Sequence, residues 1–500
     1  MLINKRDAYI FISYFCPVKH VMMIHLLNTI VEKVKLLGIC FIILFVGSCN
    51  YKTEFVKENP KYDDYSKIQE RGSLIVATGN NSTDYFLYKG EPMGFQFEML
   101  KELGNYLGVN IEVLVCNNPG EKIALLEKGK CDMIASSWNL ATSDKVKVKQ
   151  SVPILETKLV LVQRKPSGIL FHSNPEDSLI TNVNQLRGKS VYVPFQSAQA
   201  EIMHRFAEES GEQINIYEMP QYSQEKLVEL VASGDLDYTI CNRIYAETLK
   251  SIYPELDFSV VVKEAEPIKW TFRSTSDELA NKINNWLVGY KSSTQFALLT
   301  DKYFNHSNQW DVTKNRYETL NTNQLCAYDN IIKKYSTEIH WDWRLLASLI
   351  YQESRFRPNV RSQRGAWGLM QLMPSTQKFY GIDTTASPEL QIKTGVKYLC
   401  YLDKLFEEQI PDRKERVNFI LASYNIGPGH IFDAQAIAHK FGKNPLKWFN
   451  NVDTCLLSKS SPAQYRDPEV HFGYCKGDET YNFVPDILNR YAHYKNVLSE

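Results

Sequence analysis

Five hundred residues exceed what one ordinary hydrophobic core organises, so two or three domains are expected. With 44% hydrophobic and 23% charged residues, the chain has the composition of a folded, water-facing protein and excludes a disordered or collagen-like one. Lys plus Arg equals Asp plus Glu at 57 each, so the net charge gives no reason to expect a nucleic-acid partner.

The N-terminus reads as a targeting segment. Lys33 and Lys35 precede the apolar run Leu36 to Val46. That run is too short for the roughly 20 residues of a membrane-spanning helix and suits a signal peptide. Residues 1–21 stand before Met22 and Met23, either of which is an expected start. Val46-Gly47-Ser48-Cys49 sets small residues before a cysteine and resembles the lipobox of bacterial lipoproteins. Residues 1–48 are therefore expected to be removed and Cys49 to be acylated, which anchors a chain to a membrane. An ordinary secretory signal with an incidental cysteine is the alternative. Residues 49–70, polar and without apolar period, are expected to be a tether.

Strand and helix signals then alternate. Leu74 to Thr78 reads as a buried strand, Phe95 to Leu107 as a helix, Ile111 to Val115 as a strand and Ile123 to Lys128 as a helix. Gly129-Lys130-Cys131-Asp132 turns into the strand Met133 to Ala135. The pattern restarts at Leu186-Arg187-Gly188-Lys189 before Ser190 to Val193, and at Gly234-Asp235-Leu236-Asp237 before Tyr238 to Ile240. Two such units predict two lobes, each a mostly parallel sheet covered by helices. The strands expected to cross between them lie near 158–164 and 258–264. Residues 305–322 are polar and aperiodic and are expected to be a linker, and from about 323 onward helices dominate.

Setting aside Cys16, Cys40 and Cys49 leaves seven of the ten cysteines, an odd number. Cys455 with Cys475, or Cys116 with Cys131, could pair in an oxidising envelope or remain buried thiols. No CxxC or HExxH spacing suggests a metal site, and no cofactor is expected.

In the last domain, Leu345, Leu346, Leu349 and Ile350 form a stripe at helical spacing that Glu353 continues. A carboxyl at the end of a buried face is partly desolvated, which keeps it protonated near neutrality as a general acid requires. By itself a Glu at a helix end is more often a solvated cap. It is followed by Ser354, by Ser362, by Gly365-Ala366-Trp367-Gly368-Leu369-Met370-Gln371 and by Tyr424-Asn425-Ile426-Gly427-Pro428-Gly429. Small residues let a chain approach a ligand closely, and a Gln amide can both donate to and accept from sugar groups. Met370 and Trp367 read equally well as core packing or as sugar contacts.

Taken with Ala77-Thr78, Met93 to Glu98, Ser151-Val152-Pro153 and the two Gly-containing turns, residues 71–304 resemble the bacterial extracellular solute-binding proteins that hold amino acids. Residues 323–500, with Glu353-Ser354, Gly368 to Gln371, Tyr424 to Gly429 and Glu479-Thr480, are similar to the soluble-lytic-transglycosylase domain. The resemblance implies a two-lobed α/β periplasmic-binding-protein-like domain followed by an α-helical lysozyme-like domain. The order of the two parts, behind a lipobox, resembles that of membrane-bound lytic murein transglycosylases.

The resemblance implies that Glu353 protonates the oxygen between N-acetylmuramic acid and N-acetylglucosamine in peptidoglycan, then acts as base while the muramic 6-hydroxyl closes a 1,6-anhydro ring. Ser362, Gln371, Tyr424 and Asn425 would line the glycan cleft, with Tyr424 nearest Glu353. No acidic residue lies between Ser354 and Lys378, which leaves a two-carboxylate hydrolase without an obvious partner in that stretch. A lysozyme-type hydrolase and a non-catalytic peptidoglycan- or solute-binding lipoprotein stay as alternatives. In the solute-binding part, Lys145 stands where that family usually has arginine, and Asn242 where an acidic residue often meets the ligand's ammonium. A free amino acid, a muropeptide or no ligand at all is open there. With Asn50 after the cysteine, the expected anchor is the outer membrane, facing the periplasm.

Overall fold

The computed structural model describes residues 64–136, 147–166, 179–211, 213–250, 252–305 and 324–498. Cys49, Lys145 and the expected linker from 306 onward lie outside them.

The first described helix, α1 (Asp64–Arg71), takes up the end of the expected tether of residues 49–70 and joins it to the first lobe. Ile68 is fully buried in the core of the first lobe, and Gln69 Nε2 donates to Leu107 O at 2.9 Å. A single apolar residue in a polar stretch carries no period, so the sequence hid this helix; its partner surface makes it.

Lobe 1 runs through β1 (Ser73–Thr78), the hairpin β2 (Phe86–Tyr88) and β3 (Glu91–Met93), α2 (Phe95–Leu107), β4 (Asn110–Val115), α3 (Pro119–Glu127), β5 (Met133–Ile134) and β6 (Val148–Gln150). β1 pairs in parallel with β4 and β5 in the interior of its sheet, next to the edge strand β4. That position is covered on both faces, which is why Ser-Leu-Ile-Val-Ala-Thr is nearly continuous in apolar character. α2 buries Phe95, Met99, Leu100, Leu103 and Leu107, which the helical repeat sets on one face, and stops at Gly108, whose φ of 68° a side chain would disfavour.

Lobe 2 contains β7 (Leu155–Arg164), β8 (Ser190–Pro194), α4 (Ala198–Ser210), β9 (Asn215–Met219), α5 (Gln224–Ser233), β10 (Tyr238–Asn242), α6 (Arg243–Leu249), β11 (Leu256–Asp257) and β12 (Val261–Ile268). The chain returns to the first sheet with β13 (Thr271–Arg273), antiparallel to β5 and β6, and closes lobe 1 with α7 (Asp277–Tyr290) and α8 (Thr294–Thr300). The crossover thus falls just outside the strands singled out in the sequence, at 151–154 and 269–270. These two segments hold each other: Ser151 N donates to Trp270 O at 2.9 Å and Trp270 N to Ser151 Oγ at 3.0 Å.

The third body is helical, built from α9 (Asp329–Ser336), α10 (Trp343–Ser354), α11 (Pro374–Tyr380), α12 (Pro388–Phe406), α13 (Arg413–Ile426), α14 (Pro428–Lys440), α15 (Asp453–Ser458), α16 (Pro462–Tyr465) and α17 (Gly477–Val497). One core joins Leu346, Leu349 and Ile350 of α10 to Leu399, Leu402 and Phe406 of α12, Phe419 of α13, Trp448, and Val484 and Ile487 of α17.

The helical body and lobe 1 share surface. Leu87 of the β2–β3 hairpin is fully buried in the helical core. Tyr494 Oη donates to Gly90 O at 2.9 Å, Asn496 Nδ2 to Val113 O at 2.7 Å, and Tyr85 Oη lies 2.8 Å from His493 Nδ1. All seven cysteines of the described residues are free thiols, Cys116, Cys131, Cys455 and Cys475 among them. Among the described residues, no helix is long and apolar enough to cross a membrane.

Candidate active site

α10 is started by Asp342, whose carboxylate accepts from Arg344 N at 2.9 Å, and is stopped by Arg355 in the left-handed region. Phe356 also has positive φ, 58°. Two consecutive non-glycine residues in that region cost energy and turn the chain sharply, leaving Glu353 at the last turn of a helix otherwise sunk in the core. Burial, and secondarily the negative charge of Glu479, push the Glu353 carboxyl up to about 8. It is therefore protonated at neutral pH, as a group that donates a proton to a leaving oxygen must be.

Next to it lies a cleft of about 540 Å³ walled by Gln371, Met373, Tyr398, Tyr424, Asn425, His430, Tyr474, Lys476 and Glu479 among others. Glu353, half-buried, is not one of its walls. It connects to the cleft through Glu479 and through Tyr424, whose phenol is raised well above its ordinary range by burial first and by the Glu353 charge second. Tyr424 Oη donates to Met370 O at 2.6 Å, and its ring lies 5.5 Å from that of Tyr398.

Three of the four residues expected to line the cleft, Gln371, Tyr424 and Asn425, come together there. Ser362 does not wall it; its Oγ accepts from Ala366 N at 3.0 Å and its N donates to Ala366 O at 2.8 Å, closing the loop before Gln371. Gln371 sits at φ 47° and spends both amide hydrogens on Val360 O at 3.0 Å and Gly368 O at 2.8 Å. Only its carbonyl oxygen is left to accept from a ligand. Asn425 is the complement: its Oδ1 accepts from Thr480 Oγ1 at 2.5 Å, leaving the NH₂ to donate. The glycines of this loop serve its own packing. A Cβ on Gly368 would lie 2.5 Å from Gln391 Oε1, which accepts from Leu369 N, and one on Gly365 3.2 Å from Pro374 Cγ. Met370 and Trp367 are 1% and 7% exposed and belong to the interior.

The carboxylate that acts on Glu353 comes from the first turn of α17, more than a hundred residues downstream. Only the Glu479-Thr480 pair hinted at it in the sequence. His430, Tyr474 and Lys476 carried no signal there. Among the described residues, no three His, Cys, Asp or Glu side chains converge to hold a metal ion.

Asn242 is 3% exposed, is followed by α6, and borders a cavity of about 10 Å³ with Gln96, Tyr245 and Ile244. The acidic group between the lobes is instead Glu225, at the start of α5, whose Oε2 lies 3.4 Å from Ser82 N of lobe 1. Burial pushes its carboxyl up to about 7, against hydrogen bonds from Tyr245 and Ser82 that lower it.

A two-lobed α/β body thus precedes a helical body in which Glu353 stands beside a polar cleft. Residues 74–306 match the model of bacterial extracellular solute-binding proteins, family 3, and residues 330–447 that of the transglycosylase SLT domain. The chain is 30% identical over 462 residues to membrane-bound lytic murein transglycosylase F of Histophilus somni, covering 90% of each chain. It is 29% identical over 428 residues to the protein of that name from Desulfosudis oleivorans, covering 85% of this chain and 90% of the other. Among solved structures, the substrate-binding protein of an amino acid ABC transporter is similar at 17% identity and TM-score 0.40, covering 47% of this chain and 100% of the other. An ancestral arginine-binding protein is similar at 22% identity and TM-score 0.40, covering 47% and 99%. The chain belongs to the membrane-bound lytic murein transglycosylase F family.

Proposed function

We propose that this chain is a peptidoglycan lytic transglycosylase in which Glu353 donates a proton to the glycosidic oxygen between N-acetylmuramic acid and N-acetylglucosamine. It then takes the proton of the muramic 6-hydroxyl as the 1,6-anhydro ring closes. The observation that carries this is the glutamate held protonated at neutral pH at the end of a buried helix, beside a polar cleft. In this reading Gln371 accepts from a sugar and Asn425 donates to one, Tyr424 fixes the cleft beside the acid, and Ser362 acts at a distance by shaping the loop.

Glu479 supports a second reading. A lysozyme-type hydrolase needs a second carboxylate, and Glu479 is the one whose charge reaches Glu353. Digestion of purified sacculi separates the two. Muropeptides lighter by one water, absent with Glu353→Gln, are expected; reducing-end products would make the enzyme a hydrolase.

The finer parts of the reading are the anchor and the binding module. Acylation at Cys49 would hold the protein in the cell envelope at the outer membrane, facing the periplasm, with the polar residues before α1 as the tether. Residues 71–304 and 323–500 act as the binding and catalytic domains. The inter-lobe space takes a small amino-acid-like or muropeptide ligand, with Lys145, Asn242 and Glu225 as candidate contacts. Its occupancy is read by the catalytic domain through the docked hairpin. Glycan affinity measured with and without added muropeptide tests this, since coupling between two sites is reciprocal in free energy. Equal affinities would remove the regulatory part.

A further inference from the structure

One wall of the cleft is held by a buried ion pair that the acid–base chemistry leaves unused. His430, in the first turn of α14, lines the cleft, and its Nδ1 lies 2.8 Å from Lys459 Nζ. Lys459 is completely buried, at the end of α15, and its ammonium also donates to Asp433, one helical turn after His430. Asp433 accepts in turn from the backbone N–H of His471 at 2.8 Å and Phe472 at 2.9 Å. Burial opposes its charge, but the hydrogen bonds from Lys459 and those two amides hold the carboxyl below its ordinary range. A buried pair of this kind adds little stability on balance, because desolvation offsets the attraction.

It fixes two things. An ammonium can only donate, so Nδ1 of His430 is the acceptor and the ring proton sits on Nε2. Burial and then the Lys459 charge lower the imidazole below its ordinary range, which keeps the ring neutral. The amides held by Asp433 set the course of residues 471–476 along the cleft. Phe472 covers Gly429, where a Cβ would come within 2.5 Å of the ring, and meets His430 at 6.2 Å between centroids. Phe472 and Tyr474 are each 58% exposed, and Tyr474, Lys476 and Glu479 continue the wall.

We propose that His430 is a specificity-determining residue of the cleft. Its Nε2–H donates to a carbonyl or carboxylate oxygen carried by the glycan strand, Tyr474 receives the face of a sugar ring, and the Lys459–Asp433 pair is the positioning element that fixes the tautomer. The nature of the ligand rests on the transglycosylase reading above. Such an oxygen occurs both on the N-acetyl groups and on the peptide stems.

The test uses the purified full chain with two soluble probes: chitotetraose, which has acetamido groups and no peptide, and a peptide-bearing muropeptide. His430→Ala is expected to weaken binding about tenfold, with the loss of turnover on soluble glycan strands falling on KM rather than kcat. His430→Gln, whose amide N–H can stand near Nε2, is expected to recover most of it. Equal losses on both probes assign the acetamido oxygen, and loss confined to the muropeptide assigns the stem. Unchanged affinity and KM in His430→Ala, or no advantage of Gln over Ala, overturns the proposal. Independently of turnover, ¹H–¹⁵N correlation of the ring nitrogens in the wild type should show His430 protonated on Nε2 and shifting with chitotetraose. A ring protonated on Nδ1 overturns it. Tight chitotetraose binding together with no anhydro products from peptidoglycan glycan strands would sink the transglycosylase reading while leaving His430 in its role.

Discussion

Arg490 Nη1 donates to Gln352 Oε1 at 2.7 Å, one residue before Glu353. The same guanidinium lies 4.5 Å from the Tyr351 ring centroid and 3.8 Å from Glu91 of the lobe 1 hairpin. The end of the helix that carries Glu353 is therefore in contact with the hairpin of the solute-binding-like domain, through Arg490 and through Tyr351 itself.

Gly90 is where that contact is most sensitive. At φ 86°, an added Cβ would come within 2.5 Å of Tyr351 Cδ2 and 2.8 Å of Tyr494 Oη. Gly90→Ala should lower stability by roughly 2–3 kcal/mol through strain and displaced rings. Thermal unfolding should then split into two transitions, with kcat on glycan strands altered. A single transition at the wild-type temperature would show that the docking is not needed.

The Tyr85–His493 contact gives the interface a pH dependence. Burial, then the charges of Arg490 and Lys101, lower the His493 imidazole to about 4. The unfolded chain binds a proton that the folded one refuses between about 6.5 and 4, so stability falls as pH drops through that window. Tyr85→Phe, which removes a partner at 2.8 Å, should cost about 1–2 kcal/mol at pH 7.5. His493→Gln should flatten the acid side of a melting-temperature profile between pH 7 and 4.

Burial of Glu353, and secondarily the charge of Glu479, should set the alkaline limit of activity. The acid form of Glu353 is the productive one, so rate falls as pH rises through about 8. Glu479→Gln removes a nearby negative charge and should move that limb of the kcat/KM profile toward lower pH, by about half a unit to one unit. An unmoved limb would mean that Glu479 does not act on Glu353.

Glu353 itself should lower stability once ionised. Its folded carboxyl titrates near 8, above the ordinary 4.5, so the folded state holds the proton more tightly and loses stability as pH rises between those values. Glu353→Gln, a neutral mimic, should melt at about the wild-type temperature near pH 4.5 and roughly 3 °C or more above it at pH 8.5. The same variant should release no anhydro-muropeptides.

Much of this molecule is written locally. The run Leu74 to Thr78 is apolar because its strand is largely covered on both faces of its sheet, with Ile75 partly buried, and the stripe from Leu345 to Ile350 carries Glu353 to the edge of a core. Periodicity and turn chemistry are properties of neighbours in the chain, so the two-lobed α/β body, the helical body and a helix ending at Glu353 could be read from residues, while the expectation that Glu353 is the acid came from the family resemblance. What the tertiary structure decided are meetings between distant segments. Glu479 joins Glu353 across 126 positions, Lys459 fixes the ring of His430, and Ile68 makes a helix of a polar stretch because lobe 1 offers it an apolar seat. It also decided how polar groups are spent, giving both hydrogens of Gln371 and the oxygen of Asn425 to the protein itself. A sequence states which donors and acceptors exist; only packing determines which remain for a substrate, because most polar groups taken from water are first paired within the fold.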